Sequence, residues 1–454
     1  MNERVQKIRL GEKIGYAIGD AGLNLVFSTI ATFLLFFLTD IFNVAAATVA
    51  TLFLVTRLWD AINDPIMGAI ADRTKTRWGK YRPYLLWMPI PIAISFILLF
   101  SAPNLSLLGK IIWVWVVYIA FELMFTMVDI PYQSLLPMIT SDNNERNSLS
   151  AFRVVSMMLI VLFLNGATLP LVKLFGGANE ARGYMFTIMI YAFLFVALLL
   201  ITFFKVKERV KPVSETRSTV REDLKNLGKN RPLWILFLLF AFLFLTLSFR
   251  NTIILYYFTY NVGNQFLATP FMILGPLGYI IAMFFARMLP QRIGRKNTLI
   301  MCSVISVIGY SLFYFISPQN IAAILILQFI TSFFFGLPMP LLFTMSAEVV
   351  DYSEWKNKVR SAGIISSSIS FSRKFGMAIG TSMTAWILSL VGYIPNVAQT
   401  ATSLLGIKVM MSLIPAGSCL IFLILVFFYP INEKVYAEIC RDLNRPVPES
   451  RFTK

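Results

Sequence analysis

The feature that most constrains this chain is a succession of long apolar stretches separated by short polar ones. Twelve such stretches can be marked along the 454 residues, and about 20 apolar residues suffice to span a bilayer as an α-helix. They lie at 14–38, 44–70, 84–102, 111–139, 149–174, 184–204, 233–262, 266–289, 298–316, 321–350, 362–391 and 404–429. A transmembrane barrel would show short alternating segments instead. The pattern therefore predicts an all-α polytopic membrane protein.

Composition excludes several other classes of protein. Only 14% of residues are charged and 57% are hydrophobic, whereas a soluble domain carries about 25% charged residues. Histidine is absent and the three cysteines form no pattern, so we expect no disulfide framework, zinc site or other cofactor. No nucleophile–base pair is evident, and we predict that the protein is not an enzyme. The polar N-terminus lacks a cleavable signal, so the first span is expected to direct insertion.

The distribution of basic residues predicts the orientation. Of the 40 Lys and Arg residues, 31 fall in the termini, the central linker and the loops on one side, and four fall in the opposite loops. Basic loops stay in the cytoplasm, which explains the net charge of +17 without a nucleic-acid partner. We expect both termini in the cytoplasm, the chain in a bacterial inner membrane in contact with lipid, and a monomer.

The two halves of the chain repeat the same pattern of basic residues. Basic loops follow the second and eighth predicted spans, at residues 77–82 and 292–297, and Arg146 and Arg360 repeat at nearly the same offset. Such an offset indicates a parallel repeat of two six-helix halves. We predict the major facilitator fold of 12 transmembrane helices, with the substrate site between the halves. The predicted domains are an N-terminal bundle at 1–204, a linker at 205–232, a C-terminal bundle at 233–429 and a tail at 430–454.

Carboxylates inside the spans are the first candidates for function, because each ionisable residue costs roughly 2.5–3.5 kcal/mol to insert. Asp60 and Asp64 lie four residues apart and share one helix face, while Glu122, Thr126 and Asp129 form a second stripe. The aspartates and the threonine offer oxygen ligands to a small cation such as Na+, or one carboxylate could hold a proton. Structural pairing with arginine is the alternative, and the role of Glu122 stays open.

Basic residues inside the spans suggest the charge of the ligand. These are Arg153, Arg250, Arg373 and Lys374, and arginine binds a carboxylate through two parallel hydrogen bonds. They favour a ligand that carries a carboxylate, although they could simply balance the acidic residues of the first half. Asp20 is open between the substrate pathway and structural pairing.

The segment after the second span carries a lattice of charges. Asp72, Arg73, Arg77 and Lys80 all lie in it. We predict that these residues gate the transport pathway by breaking and remaking salt bridges, without contacting the substrate.

Five motifs resemble the glycoside–pentoside–hexuronide:cation symporter family, which belongs to the major facilitator superfamily. They are RLWDAINDPIMG at 57–68, DRTKTRWGKYRP at 72–83, VDIPY at 128–132, VDYSEW at 350–355 and GYIPN at 392–396. The resemblance covers nearly the full length. Members are similar to melibiose permease and import sugars together with Na+, Li+ or H+.

The resemblance implies roles for individual residues. It places Asp60, Asp64, Thr126 and Asp129 in the cation site, and Asn24, Asp129, Gln133, Arg153, Ser370 and Lys374 in the sugar site. Melibiose permease has an aspartate in place of Asn24 and a tryptophan in place of Gln133, which argues against melibiose. Residues 230–233, 292–298, 370–376 and 428–430 are more similar to the bacterial glucuronide carrier, which shares the Arg373–Lys374 pair.

Together these patterns predict a cation-coupled sugar symporter that imports a glycoside, with a glucuronide or other hexuronide as the first choice. The candidate substrate residues are Asp20, Asn24, Asp129, Gln133, Arg153, Arg250, Ser370, Arg373 and Lys374. A symporter for a neutral xyloside or galactoside is the main alternative. A lysolipid carrier and a non-transporting membrane sensor are the remaining ones.

Overall fold

The computed structural model describes residues 8–140, 143–209, 230–286, 288–357 and 362–443, which contain no β-strand. Apolar helices satisfy their backbone hydrogen bonds within the segment, which a chain in lipid requires. The prediction of an all-α fold is therefore confirmed. Most of the predicted linker (210–229), the end of the predicted tail (444–454), Arg287 and Arg360 lie outside the described residues.

The chain divides into two compact units. The first comprises Met1–Ser214 with Pro395–Val397, and the second comprises Glu215–Ile394 with Ala398–Lys454. The described α-helices of the first unit are α1 (Leu10–Thr29), α2 (Ala46–Arg73), α3 (Arg82–Trp87), α4 (Pro89–Leu99), α5 (Leu107–Ile139), α6 (Asn143–Gly176) and α7 (Glu180–Lys205). Those of the second are α8 (Arg231–Tyr256), α9 (Ala268–Phe285), α10 (Met288–Ile293), α11 (Arg295–Phe315), α12 (Ile321–Gly336), α13 (Pro338–Asn357), α14 (Ala362–Leu390), α15 (Ala401–Met411), α16 (Leu413–Phe428) and α17 (Glu433–Asp442).

Nine helical segments within the described ranges are long and apolar enough to cross a membrane. Two shorter apolar helices, Ala46–Thr56 and Pro89–Leu99, accompany them. The long apolar helices predicted from the sequence are thus present, while the count of twelve spans stays a prediction.

Helices α1 and α5 of the first unit depart from regular α-helical geometry or bonding. Helix α1 continues as π-helical turns at Ile30–Leu34 and Phe37–Ile41, and such turns recur at functional sites. Helix α5 contains Pro131 and Pro137 in its interior. A proline has no amide hydrogen, so each removes one helical hydrogen bond and creates a weak point in the helix.

A glycine allows close packing at the centre of the first unit. Helix α1 packs against both α6 and α7. A Cβ atom added to Gly19 would lie 2.7 Å from the Tyr132 ring of α5 and 2.7 Å from the Thr202 hydroxyl of α7. Since real Cβ atoms do not approach neighbours so closely, the absence of a side chain at this position lets three helices meet.

Candidate functional site

A partly buried ion pair joins α1 to α6 in the first unit. The Arg153 guanidinium donates to one oxygen of Asp20 from Nε (3.0 Å) and Nη2 (2.7 Å). The Asp20 side chain is only 7% exposed and that of Arg153 is 26% exposed. Asn24 donates to the other Asp20 oxygen at 3.1 Å and to the Asp20 carbonyl at 2.8 Å. Three predicted substrate residues therefore form one cluster, in which Asp20 neutralises Arg153.

Two tyrosines that the sequence reasoning did not single out complete this cluster. The rings of Tyr16 and Tyr132 are fully buried and stacked, with centroids 5.0 Å apart. The Arg153 guanidinium lies 5.7 Å and 5.3 Å from the two centroids, within the range of a cation–π interaction. The Tyr132 hydroxyl donates to the Tyr16 carbonyl at 2.6 Å. Tyr132 is the last residue of the VDIPY motif, and this motif was the feature of the sequence that could have identified it.

The predicted cation residues lie on α2 and α5, which pack against each other. Asp60 and Thr126 are 6% and 5% exposed, while Asp64 and Asp129 are half-buried. Gln133, one turn further along α5, donates to Asp129 at 2.7 Å. The two helical stripes predicted from spacing therefore lie on neighbouring helices. The hydrogen bond from Gln133 connects a predicted sugar residue with Asp129, which the resemblance places in both the sugar site and the cation site.

The carboxylates of these helices are not gathered into a ready-made metal cage. Among the residues that the structure describes, no three Asp, Glu, Cys or His side chains are grouped so as to hold a metal ion. A proton requires only one carboxylate, and Na+ also accepts neutral oxygen ligands such as the Thr126 hydroxyl. Glu122 is 6% exposed on the same helix.

In the second unit, Arg250 lies inside a cage of aromatic rings. Its guanidinium is 4.4 Å, 5.0 Å and 5.6 Å from the ring centroids of Tyr310, Phe313 and Phe271, and Nη2 donates to Gln328 at 2.7 Å. Arg250 is 6% exposed. The rings and the amide stabilise a buried cation, so the contacts of Arg250 in this structure are internal to the unit.

The other predicted residues of the second unit lie on α14. The Arg373 guanidinium is 4.9 Å from the Phe244 ring centroid and 5.6 Å from that of Phe343, and the side chain is half-buried. Ser370 and Lys374 are exposed. Neighbouring positions of a helix point about 100° apart, which explains why Arg373 and Lys374 differ in exposure.

Residues of the predicted gating segment contact one another within the first unit. The Tyr81 hydroxyl donates to Asp72 at 2.6 Å, and the Arg77 guanidinium lies 4.4 Å from the Trp78 ring centroid. Burial, followed by the hydrogen bond to Asp72, raises the pKa of Tyr81. Tyr81 is therefore protonated at neutral pH and acts as a donor. Arg73 is exposed and Lys80 is half-buried.

Glu208, which sequence reasoning missed, organises this segment. Its carboxylate accepts from the backbone amides of Lys80 (2.9 Å), Tyr81 (2.9 Å) and Arg82 (3.0 Å). These amides lie at the start of α3, where helical N–H groups have no partner in the helix and attract negative charge. The signal in the sequence was a glutamate among the basic residues at 205–211, directly after the sixth apolar run.

The second unit repeats this device. Glu433, at the start of α17, accepts from the Arg295 amide at 2.5 Å, at the start of α11. The Arg295 side chain forms an ion pair with Glu348. Helix α17 also binds α13, since the Tyr436 hydroxyl donates to Asp351 at 2.9 Å. Burial raises the pKa of Tyr436, and the hydrogen bond to Asp351 adds to the effect.

Two helical units with long apolar helices and charged residues buried inside them are typical of a polytopic membrane protein. Residues 15–433 match the family described as MFS/sugar transport protein. The chain belongs to this family, and it is a transporter of the inner membrane that crosses the bilayer several times, not an enzyme.

Three curated relatives illustrate the family. The isoprimeverose transporter of Lactiplantibacillus pentosus is 36% identical over 440 residues, which cover 96% of this chain and 91% of the relative. A putative glycoside/cation symporter of Escherichia coli (strain K12) is 33% identical, with 96% and 95% coverage. A glucuronide carrier protein homolog of the same organism is 30% identical, with 95% and 94% coverage. The resemblance to glycoside–pentoside–hexuronide symporters is thereby confirmed.

Solved structures support the fold. The crystal structure of the nucleoside transporter NupG matches with a TM-score of 0.62 and 12% identity, covering 92% of this chain and 98% of that one. An inward-facing bacterial homolog of the human lysosomal transporter Spinster matches with a TM-score of 0.66 and 13% identity, covering 92% and 95%. At such identities the likeness shows only the major facilitator fold.

Proposed function

We propose that this protein imports a neutral glycoside together with a monovalent cation, Na+ or H+. The observation that carries the proposal is the Asp20–Arg153 ion pair. A carboxylate within 2.7 Å already neutralises this guanidinium, so a uronide would have to displace Asp20 from it. A neutral sugar can accept hydrogen bonds from the edges of the pair without separating the charges.

The charges of the second unit support the same choice. Arg250 is enclosed by aromatic rings and Gln328, and Arg373 stacks near two phenylalanines. Arg153, Arg250 and Arg373, which favoured an acidic ligand, thus have partners within their own units. The relative that transports isoprimeverose, a xyloside, is 36% identical, which makes this sugar the first neutral glycoside to test.

Coupling to a cation is supported by the carboxylates of α2 and α5. Asp60 is almost completely buried, and Asp64 and Asp129 are half-buried. Negative charge on these residues is unfavourable in a membrane interior, and a bound Na+ or proton would neutralise it. We propose that this neutralisation stabilises the form of the first unit that binds sugar.

The test is uptake of labelled isoprimeverose into proteoliposomes that contain the purified protein. We expect uptake to rise with an inward Na+ gradient or an inward proton gradient, and unlabelled neutral xylosides to compete better than glucuronides. Liposomes without protein are the control. Uptake of a glucuronide in preference to every neutral glycoside would restore the hexuronide interpretation, and uptake that ignores both gradients would refute coupling.

A further inference from the structure

We infer that the Tyr132 hydroxyl is a positioning group that transmits occupancy of the cation site to the Asp20–Arg153 pair. This inference rests on the proposed symport function and assigns part of its coupling to one residue. Tyr132 lies three residues after Asp129 on α5. Its ring faces Arg153, and its hydroxyl bonds to the backbone of α1 at Tyr16.

The hydroxyl acts on the turn of α1 that carries Asp20. It donates to the Tyr16 carbonyl at 2.6 Å, and in an α-helix the carbonyl of residue 16 is the acceptor for the amide of residue 20. Tyr132 therefore binds the backbone turn from which the Asp20 side chain projects. A small displacement of Tyr132 changes the position of that carboxylate relative to Arg153.

The ring acts on the other partner of the pair. The Arg153 guanidinium lies 5.3 Å from the Tyr132 ring centroid, and this aromatic face favours a nearby cation. Tyr132 is fully buried, and the space for its ring against α1 depends on Gly19. Both members of the ion pair are thus held by a single side chain of α5.

Helix α5 is weakened by a proline between the predicted cation residue Asp129 and Tyr132. Pro131 stands between Asp129 and Tyr132 and removes the hydrogen bond that would hold the Met127 carbonyl. Gln133 donates to Asp129 at 2.7 Å, so a cation at Asp129 competes with an amide of the same turn. When a cation at Asp129 releases Gln133, this weakened turn of α5 can shift and move Tyr132.

The first experiment compares the dissociation constant of isoprimeverose with and without saturating Na+, and at acidic against neutral pH. Tyr132→Phe keeps the buried ring but removes the hydroxyl. We expect it to reduce the cation-induced gain in affinity by about fivefold, the factor that corresponds to one hydrogen bond. Gly19→Ala should weaken the same coupling, because its Cβ displaces the ring.

Tyr191→Phe is the matched control. Tyr191 is also fully buried in the first unit, and its hydroxyl bonds with that of Thr168 at 3.0 Å. Removing this hydroxyl should leave the gain unchanged. Full retention of the gain in Tyr132→Phe, or equal losses in both tyrosine variants, would overturn the inference, since a merely structural role predicts equal losses.

A second measurement does not depend on the sugar. In an Asn24→Cys variant, the rate of maleimide labelling reports the surroundings of Asp20, and the three native cysteines are buried. The rate should respond to Na+ or to pH with Tyr132 present and lose this response with Tyr132→Phe. A rate that ignores both ions with Tyr132 present contradicts the inference. If the native protein binds no isoprimeverose but labelling behaves as expected, the substrate proposal fails and the inference stands.

Discussion

At the scale of single residues, the environment of Arg153 decides how the basic residues are interpreted. The sequence favoured a carboxylate-bearing ligand for Arg153 and the other basic residues of the spans, and left open that they balance the acidic residues of the first half. The structure gives it Asp20 as a partner at 2.7 Å and two aromatic rings as neighbours. An arginine with these partners offers hydrogen bonds to a ligand but contributes little net charge.

Replacing Asp20 should therefore change ligand preference. In Asp20→Asn the guanidinium of Arg153 loses its anionic partner, so a uronide carboxylate can take that place. We expect affinity for glucuronides relative to neutral xylosides to rise about tenfold, as for one hydrogen bond to a charged group. Competition assays against labelled isoprimeverose measure the ratio. An unchanged ratio in a folded, inserted variant would argue against the neutralising role of Asp20.

The proposed cation site gives a second prediction at this scale. Asp64→Asn removes a negative charge that a cation would balance, with almost no change in shape. We expect stimulation of uptake by Na+ or by a proton gradient to be abolished, while the amount of protein in the membrane stays unchanged. The stimulation is measured as the ratio of sugar uptake with an inward cation gradient to uptake without one. If Asp64→Asn retains this stimulation, Asp64 does not belong to the cation site.

At the scale of elements, each unit uses a carboxylate from after its last long helix to cap another helix. Glu208 binds three amides at the start of α3, and Glu433 binds one amide at the start of α11. The cap fixes the end of a loop that carries several basic residues. Gly79 fits this arrangement because its φ of +113° is one that glycine adopts readily and because a Cβ there would collide with Glu208.

Loss of the first cap should destabilise the protein. In Glu208→Gln, the side-chain NH2 group would replace one of the two acceptor oxygens and face a backbone N–H. We expect a loss of about 1–3 kcal/mol and a lower midpoint of thermal denaturation in detergent. Glu438→Gln, at an exposed position of α17, makes the same chemical change and should have little effect. Equal midpoints for the two variants would contradict the capping role.

At the scale of the whole molecule, the two units carry different chemistry. The first holds the carboxylates of α2 and α5 and the Asp20–Arg153 pair, while the predicted substrate residues of the second are three cations and a serine. A family match over residues 15–433 covers both units. Both units are therefore part of one transporter, in agreement with the matching basic loops.

The orientation of the molecule is the remaining prediction at this scale. With 31 of 40 basic residues on one side, both termini are expected in the cytoplasm. Alkaline phosphatase, which is active only outside the cytoplasm, should be inactive when fused after Lys454. It should be active when fused at Gly177, in the turn between α6 and α7. The reverse pattern would invert the predicted topology.

The sequence by itself determined the class, the family and the helical nature of this protein. A single apolar segment that spans a membrane can bond all its backbone N–H and C=O groups internally only as a helix. Length and hydropathy were therefore enough to predict the helical fold. Spacing within a helix was equally informative, since Asp60 with Asp64, and Thr126 with Asp129, needed only the helical period to share a face.

Only the tertiary structure decided which charges are partners. Asp20 and Arg153 are 133 positions apart and Glu208 lies 126 positions from Arg82, and no local pattern connects residues so distant. The aromatic rings around Arg250 and the amide of Gln328 come from three other helices. A charge in a membrane protein is costly or useful according to what surrounds it, and those surroundings are set by helix packing. The packing pairs Arg153 with Asp20, and for this reason we propose a neutral sugar where the sequence favoured a ligand with a carboxylate.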